Sequence, residues 1–254
     1  MVSVNATGSD ELRAAEADYR AWSEARRAAV TGPHGALALV LTHWSEPGAE
    51  PVPEAVAREG HPDTVLFSRL ERADIDTGLP QQGYRIWRQD SPAATAFEEI
   101  ERYPYDPAWV IDGRFELVDE DRVVPFEHIR DAGATRSLPV SGDLVFEWEG
   151  TQYRLAAFDT VSGGTAKLQL VFGDRTNGSE TYGAGRFLFL DRPAVGHEAG
   201  ERSTPVTVDF NRATVPPCGF SSQMNCPLPP AQNRLPFPVH AGEKRVRFAD
   251  GFSL

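Results

Sequence analysis

Between residues 214 and 238 the chain carries seven prolines, at 216, 217, 227, 229, 230, 236 and 238, and no other feature limits its fold as strongly. Proline has no amide hydrogen to give a ladder, so this stretch cannot form a central strand. Phe220, Leu228, Leu235 and Phe237 interrupt it, which makes it too apolar for a solvated linker. It is expected as an ordered, extended wrap laid over whatever the preceding residues build.

Those preceding residues read mostly as strands. From about residue 64 the apolar positions fall into period two. Tyr84–Arg88 reads as a strand, and Ser91-Pro92 as a helix start, cap then proline, running on through Ile100. Tyr103–Pro107 is a turn, and strand character resumes over Trp109–Val118 with a break at Asp112-Gly113. The strongest hairpin is Asp143–Phe158, turning at Glu149-Gly150. Lys167–Phe172 and Val206–Phe210 are further strands. Phe187–Leu190 is apolar on both faces, which predicts a central, doubly covered strand.

Ahead of these, Leu12, Ala15, Tyr19, Trp22, Ala25 and Ala29 recur at spacings of three and four. They predict an amphipathic helix over 10–30, capped by Ser9 or Asp10 and ended by Thr31-Gly32-Pro33. Residues 45–63 read as a loop. The expected fold is mainly β, an antiparallel barrel or sandwich with an N-terminal helix and a proline-rich C-terminal wrap. Residues 1–63 supply the helix and a Pro/Gly-rich connection, and 64–254 the β domain.

Charge narrows the partners. Lysine and arginine number 25 against 37 aspartates and glutamates, a net charge of −12, which opposes nucleic-acid and anionic-membrane binding. The longest apolar run, Ala36–Leu41, is far short of a membrane span. Met1-Val2-Ser3-Val4-Asn5 has neither a basic start nor an apolar core, so the expected location is the cytoplasm. Familiar catalytic patterns are missing. There is no P-loop, no GxGxxG, no GxSxG and no HExxH. Tyr182–Arg186 contains only a GxG, which reads as a turn. His34 and His43 flank an apolar run and fit either site residues or, as a lone histidine more often is, packed or exposed ones.

Two places could carry chemistry. Cys218 and Cys226 are the only cysteines. They fit buried structural thiols, a disulfide, two ligands of a metal site with His240 as a third, or a reactive thiol. Asp209, Asn211 and Arg212 end a strand just before the wrap, with Asp209 and Asn211 on one face. They fit a polar pocket floor, with Asn233, Glu243 and Lys244 brought back by the wrap. They equally fit a network satisfying carbonyls that a proline-rich backbone leaves without donors.

Several stretches carry a family likeness: Asp209–Ala213, Pro216-Pro217-Cys218, Cys226–Pro230, Asn233–Pro236 and Ala241–Lys244. Upstream the same holds for Asp90-Ser91-Pro92 with Phe97, Pro104–Trp109, and Asp174, Thr176, Gly178 and Tyr182 with Arg186-Phe187-Leu188. Over most of residues 10–248 the chain resembles the bacterial and archaeal domain-of-unknown-function 1684 family, and is shorter than the family pattern between Trp44 and about residue 64. The resemblance implies no activity. The leading expectation is a cytoplasmic small-molecule-binding domain with a pocket where 206–211 meets the wrap. Its ligand-binding candidates are Asp209, Asn211, Arg212, Cys218, Asn233, Glu243 and Lys244. Arg212 and Lys244 would suit an anionic small molecule, and neither cofactor nor metal is expected. The rival readings are a hydrolase or lyase using the same pocket, with Asp209 or Glu243 as base or Cys218 as nucleophile, and a structural or partner-binding module.

Overall fold

A computed structural model describes residues 5–74, 77–119, 121–130, 135–194 and 202–254. Helix α1 spans Asn5–Thr31, followed by β1 (Leu39–Trp44), α2 (Glu54–Ala57), β2 (Leu66–Ala73) and β3 (Pro80–Trp87). Next come α3 (Pro92–Ala96), β4 (Phe97–Arg102), β5 (Val110–Leu117), β6 (Val123–Glu127) and β7 (Thr135–Pro139). The chain continues through β8 (Gly142–Trp148), β9 (Thr151–Ser162), β10 (Thr165–Phe172), β11 (Arg186–Asp191), β12 (Ser203–Asp209) and β13 (Glu243–Phe248). The protein is mainly β with one long N-terminal helix. No helix among the described residues is long and apolar enough to cross a membrane. The chain divides into two compact units, residues 1–21, 100–216 and 226–245, and residues 22–99, 217–225 and 246–254.

The first unit is built on a six-stranded antiparallel sheet in the order β11-β10-β9-β8-β5-β12, curled into a half-barrel. Its hairpin β8–β9 turns where the sequence predicts, with Glu149 at φ 50° and Gly150 at φ 75° and Trp148 opposite Thr151. Two successive positive φ values match the right-handed twist of the flanking strands. Alternation then sends Leu144, Phe146, Leu155 and Ala157 into one core with Phe115, Leu168, Phe172, Leu188, Val208 and Phe210. Each such fully buried Leu or Phe contributes about 1.5–3 kcal/mol. Trp109 stacks on Trp148 with ring centroids 4.4 Å apart. The expected break at Asp112-Gly113 does not occur. β5 is paired on both sides, to β8 and β12, and two ladders override a local turn signal.

Phe187–Leu190 is also placed differently from expectation. It lies in β11, an edge of the sheet rather than a central strand. Leu188 and Leu190 face the core and Phe189 is exposed, while the start of the wrap closes the strand's free edge, where Phe187 and Thr214 exchange both backbone hydrogen bonds at 2.9 and 2.7 Å. The wrap itself is extended, as expected, with short 3-10 turns at Pro217–Gly219 and Ala231–Asn233.

The second unit holds a three-stranded antiparallel sheet, β1-β3-β2, with Ala38, Leu39 and Trp87 buried against Leu66 and Met224. The edge of β1 is covered by residues 217–225: Thr42 N donates to Gln223 Oε1 at 3.0 Å, and Ser221 Oγ donates to Leu39 O at 2.9 Å. Covering an edge in this way removes a template for strand addition. Ser91 caps α3 by accepting from Ala94 N at 2.9 Å. The helix ends at Ala96 instead of reaching Ile100, because Phe97–Arg102 is recruited as β4 to pair with β13. α1 begins at Asn5, so Ser9 and Asp10 lie within the helix and not at its cap, while Thr31 ends it as predicted.

Candidate functional site

The first unit contains the polar centre, and three fully buried side chains explain how the wrap is pinned there. Asn233 substitutes for ladder partners where β9 and β10 part beyond the Gln169–Phe158 pair. Its Oδ1 accepts from Ala156 N at 2.8 Å, and its Nδ2 donates to Ala156 O at 2.9 Å and to Val171 O at 2.8 Å. Asn211 does the same for Asp106, accepting from its amide at 3.0 Å and donating to its carbonyl at 2.9 Å. Glu243 Oε2 accepts from Val215 N at 2.8 Å. Between these anchors Gly242 turns the chain at φ 77°, and a Cβ there would come within 2.6 Å of Ala213 O. Only glycine fits such a position.

Beneath them lies an ion pair with neither side chain exposed, Arg186 Nη2 to Asp174 Oδ2 at 2.8 Å. The guanidinium also donates to the carbonyls of Val239 and Ala241, and packs over the Phe172 ring at 5.3 Å. Asp174 Oδ1 accepts from Thr176 N and Oγ1 at 2.8 and 2.6 Å and from Val239 N at 3.3 Å. Of the guanidinium nitrogens only Nε is buried without a hydrogen-bond partner, and the partners of the rest are what a desolvated charge pair requires. The sequence offered no spacing rule that would join positions 174, 186 and 239.

The accessible face is a cleft of about 510 Å³ between the two edge strands of the half-barrel. Leu188, Phe189 and Leu190 of β11 form one wall, and Val206, Thr207 and Asp209 of β12 the other, with Lys167 and Arg212 at the polar rim. Arg212 Nε donates to Asp209 Oδ2 at 3.2 Å and its Nη2 pairs with Asp18. Lys167 pairs with Asp191. The cations are sheltered, with side chains 28% exposed for Lys167 and 34% for Arg212. Their outer partners are open, Asp191 at 87% and Asp18 at 71%.

Of the seven sequence-derived candidates, the cleft therefore collects Asp209 and Arg212. Asn211, Asn233 and Glu243 are wholly buried. Lys244 is half-buried, its ammonium 4.9 Å from the Tyr103 ring centroid. Cys218 belongs to the second unit, and Cys226 to the first. Both are buried thiols. Among the described residues no cluster of three or more His, Cys, Asp or Glu is arranged to hold a metal.

A second concavity of the same unit, about 600 Å³, is lined by Tyr103, Pro104, Tyr105, Asp106, Glu180 and His240. Tyr103 Oη donates to Glu180 Oε2 at 2.9 Å. Burial first, and then that hydrogen bond, push the Tyr103 phenol well above its ordinary value. Tyr105 is raised as well, by burial and then by the charge of Asp209. Sequence reasoning passed over Tyr103 and Glu180, which stand 77 positions apart.

No curated protein matches the chain. Among solved structures, an uncharacterised protein of Haloarcula marismortui determined by NMR is similar at 28% identity, over 58% of this chain and 77% of that one, with a TM-score of 0.46. A family described as "Protein of unknown function (DUF1684)" matches residues 95–244, more than half of the chain. The segments that build the polar centre, from Asp106 through Asp174, Arg186, Asn211 and Asn233 to Glu243, all fall within that match, and the chain belongs to the DUF1684 family.

Proposed function

We propose that the first unit is a cytoplasmic binding module for a small carboxylate with an apolar body, received in the cleft between β11 and β12. The observation that carries this reading is the state of the two rim cations. Lys167 and Arg212 are sheltered, while Asp191 and Asp18, their outermost partners, stand mostly in solvent. Exposed ion pairs of this kind contribute about 0–1 kcal/mol. An incoming carboxylate displaces them at little cost, and gains charge-assisted hydrogen bonds in a less solvated place. The apolar walls from Leu188, Leu190 and Val206 accept the ligand's body, and a cleft of about 510 Å³ falls in the size range of small-ligand sites.

Octanoate titrated into the protein by isothermal calorimetry tests the reading. Saturable binding is expected, weakened about tenfold by Arg212→Gln and again by Lys167→Gln, each loss being near 1.4 kcal/mol. Heat no greater than dilution, or an affinity unchanged in the double variant, would refute it.

A further inference from the structure

Tyr103 follows β4, Glu180 sits in the turn-rich segment 173–185, and His240 lies in the wrap, yet the fold brings all three to one rim. The segment bearing Glu180 is fixed by its own hydrogen bonds. Thr176 Oγ1 and Thr181 Oγ1 are 2.8 Å apart, and Asn177 Nδ2 donates to Thr181 Oγ1 at 2.9 Å and to Tyr182 O at 3.1 Å. Arg245 Nη2 donates to the carbonyls of Ser179 and Glu180 at 3.2 and 3.0 Å. Tyr103 is held in turn by its amide, which donates to Gly242 O at 3.0 Å. The Glu180 carboxylate therefore has a set position, with Oε2 taken by the Tyr103 hydroxyl and Oε1 facing His240 Nε2 at 3.5 Å. That contact is long, as catalytic contacts commonly are before substrate arrives. Nε2 is the ring nitrogen that faces the carboxylate, which leaves Nδ1 as the nitrogen turned away from it.

We infer that this rim is a general-base hydrolytic centre for small aryl esters of carboxylic acids, with His240 as the base and Glu180 and Tyr103 as positioning residues. Its lining offers no serine, threonine or cysteine, so the nucleophile is water. Asp106 and Glu180 repel phosphate esters, which leaves carboxylic esters as the acyl donors. The rings of Tyr103 and Tyr105 supply flat walls for an aryl group. In the reaction a water oxygen bonds to the acyl carbon while Nδ1 of His240 takes one of its protons. The carbonyl pair moves onto oxygen, giving the tetrahedral oxyanion. Collapse breaks the bond to the aryloxide, which takes the proton back from the imidazolium, giving one carboxylic acid and one phenol. Tyr103 stays a neutral donor to Glu180 throughout, and its raised titration agrees with that task. The centre shares no side chain with the β11–β12 cleft and does not depend on what binds there.

Hydrolysis of p-nitrophenyl acetate by the full chain is the test. The expected kcat/KM exceeds the rate constant of free imidazole and falls about a hundredfold in His240→Gln and His240→Asn. Glu180→Gln loses about tenfold and Glu180→Asp recovers part of it, as a positioning carboxylate should. His43→Gln, at an exposed histidine of the other unit, leaves the rate unchanged. A wild-type rate no better than imidazole, or one retained in folded His240→Gln, overturns the inference.

Discussion

Arg186 and Arg212 both meet an aspartate, and their settings give them opposite roles. Arg186 is sealed, its carboxylate partner is equally sealed, and the carbonyls of Val239 and Ala241 accept further hydrogen bonds from it. Arg212 shares its charge between Asp209 and an aspartate that stands mostly in water. A buried pair is costly to break because one charge is left without compensation, whereas an exposed pair exchanges partners freely. The floor of the first unit thus holds shape, and the cleft above the edge strands is where a partner can be swapped.

The contrast can be broken at its strongest point. Asp174→Ala should lower stability by about 3–5 kcal/mol in urea melts, the cost of leaving a buried guanidinium alone. A loss below about 1 kcal/mol would mean that water reaches Arg186 and that the two arginines are not different in kind. Asn233→Ala should cost about 1–3 kcal/mol, because the Ala156 and Val171 backbone groups lose their partner. Thermal melts compared with Gln232→Ala separate this from a general loosening of the wrap. Alkaline pH sharpens the comparison further. The Tyr103 phenol is raised above its ordinary 10.0, so its contribution is complete below that pH and is lost as pH climbs toward the folded-state value. Urea midpoints of the wild type should therefore fall above about pH 10, more steeply than those of Tyr103→Phe. Smallest of all, Arg212→Gln should change stability by no more than about 1 kcal/mol while weakening octanoate binding. A larger loss would class Arg212 with Arg186.

The sequence made the architecture legible where a local rule sufficed. Residues 143–158 alternate cleanly and turn on Glu149-Gly150, and Ser91 caps the helix that Pro92 opens. It misled where a local rule was overruled from a distance. Phe187–Leu190 is apolar on both faces yet lies at an edge, with Phe189 exposed to the cleft, and Phe97–Ile100 is drawn into β4 by a strand far along the chain. β13 was missed because residues 243–248 follow a proline-rich run and carry four charged groups beside Val246 and Phe248. The site divided the same way. Asp209, Asn211 and Arg212 are joined by short-range bonds that the strand-end pattern suggested. Asp174 with Arg186, and Tyr103 with Glu180 and His240, are joined only by topology, and periodicity holds no trace of topology.

One consequence of Asn233 concerns the order of events on the ribosome. Its amide completes hydrogen bonds of Ala156, 77 residues earlier. The gap first exists once β10 is complete at Phe172, so at synthesis speeds of about 5–20 residues per second β9 and β10 wait roughly 3–12 s with it open. Translation speed along the proline-rich stretch therefore sets how long unpaired backbone is presented to neighbouring chains, and a pause there lengthens the window for aggregation.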